Sequence, residues 1–477
     1  MSLIDSMLKT SMDNLRAGRR DEAAKICRDI CRMEPKHARA HSLLGIIVFE
    51  SGDPDTALEL LNYAQHLNPE LPDVPRSLAE VYLGMDNLDK ALEAQNRAVY
   101  LNPRDPMGHL QAAVIYQRQG RSDEAETSAR RALALKPGMA GALQLLGSIA
   151  YRHGRIEEAG EALGKARAAS QAAVDPNHSL ALSLLSMGRA SEIAGLSPPV
   201  SRNQAFGELA IRAIDAWIAD RPDECRGLIS QARPFIPQVP IEAPNRSVFV
   251  TYLNILDGLV DWRRDYAGSY GAATERTLHV IGDSHTLTAA NLTLPIDGVM
   301  TRLQAHLVFG CKAWHLVREE PNPYRGNYDL AIERIPPGST VLAVFGELDC
   351  RLKEGIVRAV RKDLSLDADK LVDDLVAGYV SFMLEAGKAR DLTVWFQSPA
   401  MSNVNMSLVE DDVRDVFLGV IRRFNERLRA VTAERGARLI DVNKVTTNDN
   451  GQARRGHYID TNHVRPTALI DAFEASA

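Results

Sequence analysis

Residues 52–69 read GDPDTALELLNYAQHLNP, and the same plan returns as DNLDKALEAQNRAVYLNP at 86–103 and GRSDEAETSARRALALKP at 120–137. Each stretch opens on a short polar turn, continues as a helix-like run of small and apolar residues, and stops at a proline. Ala23, Ala57, Ala91, Ala125 and Ala159 fall 34 residues apart, one after each turn. Pro35, Pro69, Pro103 and Pro137 follow twelve residues later at the same spacing, and a ring without an amide hydrogen ends a helix there. The fifth such position is Gln171, where the pattern weakens. Aspartate or serine in the turns, followed by acidic residues, is expected to cap the first amides and to suit the positive helix end.

Two further series run in phase. Gly45, Ala79, Ala113 and Gly147 fall in the first helix of each pair, and Ala64, Ala98, Ala132 and Ala166 in the second. Small side chains at these points let antiparallel helices lie close together. A fixed period of this length marks a stack of helical hairpins. The positions resemble the tetratricopeptide repeat (TPR) family over residues 4 to about 170. That resemblance implies an α-helical solenoid whose concave groove holds a protein or peptide. The family's groove-facing positions fall on Ser42, Ile46, Arg76, Glu80, Leu110, Val114, Gln144 and Ser148. They lack the lysine and asparagine set with which some members clamp a C-terminal carboxylate, so such a partner is not expected. Ala181, Gly188 and RPDEC at 221–225 keep part of the spacing, and degenerate repeats are expected to about residue 235.

At 477 residues the chain exceeds one core, and 45% hydrophobic with 25% charged residues describes a globular protein. A net charge of -6 gives no attraction for a polyanion, so neither nucleic acid nor an anionic membrane surface is expected as partner. The N-terminal MSLIDSMLKTSMDNLRAG has no apolar core of signal-peptide length, and no stretch reaches 18 uncharged apolar residues. Five cysteines, an odd number, fit a reducing compartment, and a cytoplasmic protein without a membrane span is expected. Cys27 and Cys31, four apart on one helix face, read as small core residues.

Prolines 198, 199, 237, 240 and 244 cluster where the repeat phase decays, which reads as a bridge. After YAGSYGAATE at 266–275 the rhythm changes. TLHVIG (277–282), STVLAVFG (339–346), LTVWFQSP (392–399) and ARLIDVN (437–443) are short apolar runs between helical stretches, the pattern of a parallel α/β sheet. The expected division is repeats over 1–170, degenerate helical repeats and linker over 171–274, and an α/β domain over 275–477.

In TLHVIGDSHTL, Gly282 allows a tight turn that presents Asp283 and Ser284 at the C-terminal edge of a strand, where open parallel sheets bind ligands. In YIDTNHVRP at 458–466, Asp460 precedes His463 by three residues. An aspartate at that spacing reaches the ring's Nδ1 hydrogen and leaves the other nitrogen to accept a serine proton.

The Gly-Asp-Ser and the Asp-x-x-His together resemble the SGNH, or GDSL-like, hydrolase family over residues 275–477. That resemblance implies a three-layer, flavodoxin-like α/β fold with a parallel sheet. It also implies Ser284 as nucleophile, His463 as its base and Asp460 as the group orienting the base. The Ser284 amide and that of Gly310, in HLVFGCKAWHL, take the family's oxyanion-hole positions. The family's third block, Gly-x-Asn-Asp, reads GELD here: Gly346 and Asp349 match, and Leu348 stands where an asparagine would donate. Loss of such a donor costs about 100- to 1000-fold in rate. Asn403, Asn405 and Arg351 are candidate substitutes, although Arg351 also reads as a partner of Glu347 or Asp349. His279 and the Trp314–His315 step read as packing, and His285 as the start of a helix.

No zinc spacing, Walker loop or Gly-x-Gly-x-x-Gly occurs, so neither cofactor nor metal is expected. The leading expectation is a serine esterase or acyl-ester hydrolase, or a related O-acyltransferase, acting on an ester such as an acetylated glycan and directed by its repeats. The alternative is a repeat-based binding or scaffold protein with a weakly active or inactive SGNH-like domain, on the strength of Leu348. A repeat-bearing glycosyltransferase is disfavoured, because about 200 residues are too few for two nucleotide-binding lobes.

Overall fold

The computed structural model describes residues 3–170, 178–271 and 274–476. Gln171, at which the proline series lapses, lies outside them. The chain divides into two compact units, Met1–Ile149 and Ala150–Ala477.

The first unit is built from helix pairs: Leu3–Arg16 with Arg20–Met33, Ala38–Glu50 with Pro54–Leu67, Asp73–Gly84 with Leu88–Leu101, and Pro106–Arg118 with Ser122–Leu135. The 34-residue alanines 23, 57, 91 and 125 are fully buried, which explains why nothing larger recurs there. Every second helix ends two residues before its proline. Capping differs from the sequence expectation. Asp53 and Asn87 accept the Thr56 and Lys90 amides, but Arg19 and Arg121 occupy the cap positions of two other helices and offer no acceptor. In those turns the acidic residues lie inside the first helical turn, where they still meet the positive helix end, and Arg121 pairs with Glu124 at 2.7 Å.

The second unit begins with helices and ends in a sheet. Helices Ser179–Ser186, Arg202–Ile218, Pro222–Ala232 and Arg246–Asp265 precede six strands: β1 Arg276–Gly282, β2 Thr293–Ile296, β3 Val299–Leu307, β4 Thr340–Val344, β5 Thr393–Gln397 and β6 Leu439–Ile440. The sheet order is β2-β3-β1-β4-β5-β6. All neighbours run parallel except β2, which pairs antiparallel with β3.

Successive residues of β4 divide between two cores. Leu342 and Val344 face one, Val341 and Ala343 the other, as the two-residue period of a strand requires. The first core joins the sheet to helices Arg202–Ile218, Arg246–Asp265 and Pro466–Glu474. The second is covered by Pro323–Glu333, Gly355–Lys362, Ala368–Ala389 and Asp411–Glu434. Thus the proline-rich segment read as a bridge contributes a layer over the sheet. Trp217 and Phe249 are fully buried in it, and the Trp217 indole donates to the Leu287 carbonyl at 2.9 Å. Among the described residues no helix is long and apolar enough to cross a membrane.

Candidate active site

Strand β1 lies between β3 and β4, so the chain leaves its C-terminal end first to one side and later to the other. Ligands bind at such a reversal in open sheets. Gly282 is required there by a close approach: a Cβ would lie 2.1 Å from the Val344 carbonyl oxygen. Asp283 and Ser284 follow directly.

The C-terminal motif reaches this point through a small closed loop. Tyr458 and Val464 bridge antiparallel, and the Ile459 amide donates to the His463 carbonyl at 2.8 Å. Within it, one Asp460 oxygen accepts the amides of Asn462 and His463, each at 2.8 Å. The other oxygen accepts from His463 Nδ1 at 2.9 Å. His463 Nε2 meets Ser284 Oγ at 2.8 Å, across 179 residues of sequence. Serine, histidine and aspartate therefore form one hydrogen-bonded chain, with Ser284 6% and His463 1% exposed. Two bonds tie the loop to the turn that carries Ser284: Thr288 Oγ1 to the Val464 carbonyl at 3.0 Å and His285 Nε2 to the Asn462 carbonyl at 3.1 Å.

Burial pushes His463 below its ordinary value, and the nearby positive charge of His285 adds to this against the opposing pull of Asp460. The ring is neutral near pH 7 and free to accept a proton. Burial also works against the Asp460 charge, but its bonds to His463 outweigh this and hold the carboxyl well below the usual range.

His285 does more than begin a helix. Its Nδ1 faces Asp283 Oδ1 at 2.9 Å and its Nε2 faces a carbonyl, so both nitrogens must carry hydrogen and the ring is an imidazolium. Burial alone would lower its pKa; Asp283 first, then Glu347, raise it to about 9. Asp283, His285 and Glu347 bring one potential metal-ligand atom each within 4.8 Å of one another. Arg351 Nε lies 2.8 and 2.9 Å from the two Glu347 oxygens and His285 Nδ1 faces Asp283 Oδ1, while Asp283 Oδ2 is buried without a hydrogen-bond partner among the described residues. The cluster reads as a charge-matched network of two carboxylates and two cations.

The GELD stretch, residues 346–349, packs beside the turn after Gly310. Asp349 accepts the Ala313 and Trp314 amides at 2.8 and 3.2 Å, which fixes the turn after Gly310. Burial pushes its carboxyl up to about 7 despite these donors. Leu348 is buried and donates nothing. Of the candidate substitutes, Arg351 is held by Glu347, and the Asn405 side chain accepts from Ser407 in a local turn. The Asn403 main-chain amide donates to the Thr461 carbonyl at 2.6 Å, which fastens its loop beside the Asp460 turn. His315 stacks on Tyr324 with centroids 3.9 Å apart and accepts the Lys312 amide, as packing predicts, while Trp314 is 45% exposed. His279 Nδ1 lies 2.9 Å from His306 Nε2, between β1 and β3.

Sequence reasoning missed Tyr252, on helix Arg246–Asp265. It is 3% exposed, and its ring stacks on Phe309, the residue before Gly310, with centroids 4.7 Å apart. Burial pushes its phenol far above the ordinary range. Gly310 itself has φ +66°, and neither its amide nor that of Ser284 is taken by a main-chain acceptor among the described residues.

Comparison with known proteins bears on the helical end of the chain. One family model described as Tetratricopeptide repeat matches residues 48–114, and a second of the same description matches 8–75 and 110–173. Residues 8–173 carry tetratricopeptide repeats. Solved structures are similar over part of the chain. A crystal structure of MamA is 22% identical, covering 36% of this chain and 96% of its own, with a TM-score of 0.31. TTC0263, a thermophilic TPR protein of Thermus thermophilus, is 25% identical over 38% of this chain and 99% of its own, TM-score 0.33. Pseudomonas aeruginosa pilF is 13% identical over 50% and 93%, TM-score 0.37. No curated protein sequence matches the chain.

Proposed function

We propose that the chain joins a protein-binding TPR arm to a serine acyl-ester hydrolase of the SGNH type, with the chemistry in residues 275–477, the helical segment 171–274 between them, and the repeats in 1–170. The observation that carries the catalytic half is the hydrogen-bonded chain from Ser284 through His463 to Asp460. Counting only its parallel strands, the sheet runs 2-1-3-4-5, the flavodoxin-like doubly wound order, which supports the same reading.

Ser284 Oγ attacks the acyl carbonyl carbon while its proton passes to His463 Nε2, and the carbonyl electrons move to oxygen. The amides of Ser284 and Gly310 receive that oxyanion. Its collapse breaks the ester bond, and the leaving alkoxide takes the proton from His463. Water, or an acceptor hydroxyl in an acyltransferase, then releases the acyl group by the same steps in reverse. The substrate class is a neutral acyl ester, acetylated glycans among them. Five free cysteines support a reducing, cytoplasmic setting.

A fluorophosphonate probe tests the proposal: Ser284 should label, and Ser284→Ala should not. A panel of short-chain esters and acetylated sugars then identifies the acyl group. The repeats and Leu348 favour one second reading, a TPR scaffold whose SGNH-like domain has lost its chemistry. Absence of label on Ser284, in a protein that remains folded, would select it.

A further inference from the structure

The turns that open the second helix of each repeat hold a further 34-residue series: Gly18, Gly52, Asp86, Gly120, Gly154 and Gly188, all with positive φ. At Gly18, Gly52 and Gly120 a side chain would meet nothing within 4 Å. The last two turns differ. A Cβ on Gly154 would lie 2.6 Å from the Asn322 carbonyl oxygen, one on Gly326 would overlap the Gly154 carbonyl, and one on Gly188 would lie 2.8 Å from Arg334 Nη1. Both turns belong to the second unit, and both press on helix Pro323–Glu333, one at its start and the other just past its end. The start of that helix also stands against Gly310, where a Cβ would meet Tyr324 Cε1 at 3.6 Å. The Tyr324 ring stacks on His315, the Asn322 side chain donates to the His315 carbonyl at 3.1 Å, and Arg325 donates to the Leu316 carbonyl at 2.9 Å. Helix start, ring and the short helix Ala313–Val317 therefore form one block, with the Gly154 turn on one side and Gly310 on the other.

We propose that Tyr324 is a positioning residue for the oxyanion amide of Gly310, and that the repeat turn at Gly154 holds Tyr324 in place through its backbone contact with Gly326. The inference rests on the serine-hydrolase reading above. An oxyanion donor stabilises the transition state strongly only if it is fixed before reaction. Gly310, at φ +66°, has no side chain with which to anchor itself. Asp349 fixes the residues that follow it, and the Tyr324 ring supplies the wall beside it. Two glycine backbones in contact have no rotamer with which to absorb a shift, and close-packed interiors transmit strain. A displacement at Gly154 therefore passes to the helix start and its ring as a unit. The closing turns of the repeat series are then part of the catalytic scaffold, although they carry none of the family motifs.

The test compares the same substitution at two turns one repeat apart, read as the pH–rate profile of Ser284 labelling by a fluorophosphonate. Asparagine tolerates a left-handed backbone, and φ is +76° at Gly120 and +75° at Gly154. Gly120→Asn thus adds its side chain to open space, and Gly154→Asn adds it against the helix start. Gly154→Asn should lower the plateau rate about 10- to 100-fold, as a misplacement of up to about 1 Å does, and leave the lower-pH limb, which His463 sets, where it is. Gly120→Asn should label at the parent rate. Tyr324→Ala should reproduce the fall, and Tyr324→Phe, which keeps the ring, should recover the rate lost by Tyr324→Ala. Parent-rate labelling of Gly154→Asn or of Tyr324→Ala overturns the inference and leaves the hydrolase reading standing. So does a fall shared by Gly120→Asn, or a limb displaced together with the plateau, because either marks a general loosening of the fold. If Gly154→Asn does not fold, the Tyr324→Ala and Tyr324→Phe pair decides. Absence of parent labelling overturns the hydrolase reading and this role together.

Discussion

His285 lies flat against His463, the two ring centroids 4.7 Å apart and their planes 25° from parallel. One imidazole has acceptors at both nitrogens and is charged; the other has an acceptor at Nδ1 and a serine at Nε2 and is neutral. Stacking a cation on a neutral imidazole disfavours its protonation, so His463 stays neutral below the pH at which a free histidine would protonate.

Labelling or turnover should therefore rise with pH through a limb below 6.5, histidine's ordinary value. The charged groups acting on His463 are His285, Asp460 and Arg351. Replacing His285→Gln removes one cation, so the His463 pKa rises and the limb moves to higher pH. A pH–rate profile of the two proteins decides this; an unmoved limb would show that the stack does not tune the base.

The same residue gives a signature in stability. A histidine raised to about 9 when folded contributes stability that is complete below its unfolded value of about 6.5 and is lost as pH rises through 9. The parent melting temperature should fall over that window, and that of His285→Gln should fall less. Thermal melts between pH 6 and 9.5 check it.

Asp460→Asn keeps an oxygen for the Asn462 and His463 amides but no longer favours the Nδ1–H tautomer of the ring. Rate should fall about 10⁴-fold with little loss of stability. Steady-state kinetics beside a denaturant curve would separate the two effects.

Asp349→Ala strands the amides of Ala313 and Trp314, both now satisfied by one carboxylate. The expected cost is about 1–3 kcal/mol, together with slower labelling, because the turn after Gly310 loses its anchor. Asp349→Asn, which keeps one acceptor oxygen, should fall between the two.

Arg167 and Glu208 form a buried ion pair at 2.5 Å, each side chain about one-tenth exposed. Glu208→Ala should destabilise by about 3–5 kcal/mol through the cation it abandons, whereas Arg167→Met with Glu208→Leu should recover most of that. Urea midpoints of the three proteins test it.

Local patterns made the solenoid and the triad legible. The repeats show as a period, Ser284 as Gly-Asp-Ser after an apolar run, and His463 with Asp460 as a three-residue spacing; their hydrogen-bonded chain is what the structure adds. Other features depended on partners far along the chain. Tyr252 sits in FVTYLNILDGLV, whose apolar spacing describes a core helix; nothing local says that its ring stacks on Phe309, beside Gly310. His285 read as a helix start because its acceptor at Asn462 lies 177 residues away. Strand β2 is only four residues long and carries Pro295, which depresses any strand reading, yet an edge position beside β3 tolerates it. The arginine caps were missed because the turn motif was read by composition: the helix starts after the arginine, so the acidic residues fall inside it.

The closed loop of residues 458–464 makes the base and its orienting aspartate a single tile, fastened to the residues immediately after the nucleophile. Under the proposed hydrolase reading, a preparation whose repeats no longer hold a partner is expected to go on consuming small esters, because the Ser284–His463 contact and the bonds that hold the loop all lie within residues 284–464; activity on such substrates would then be a poor gauge of whether the molecule is whole.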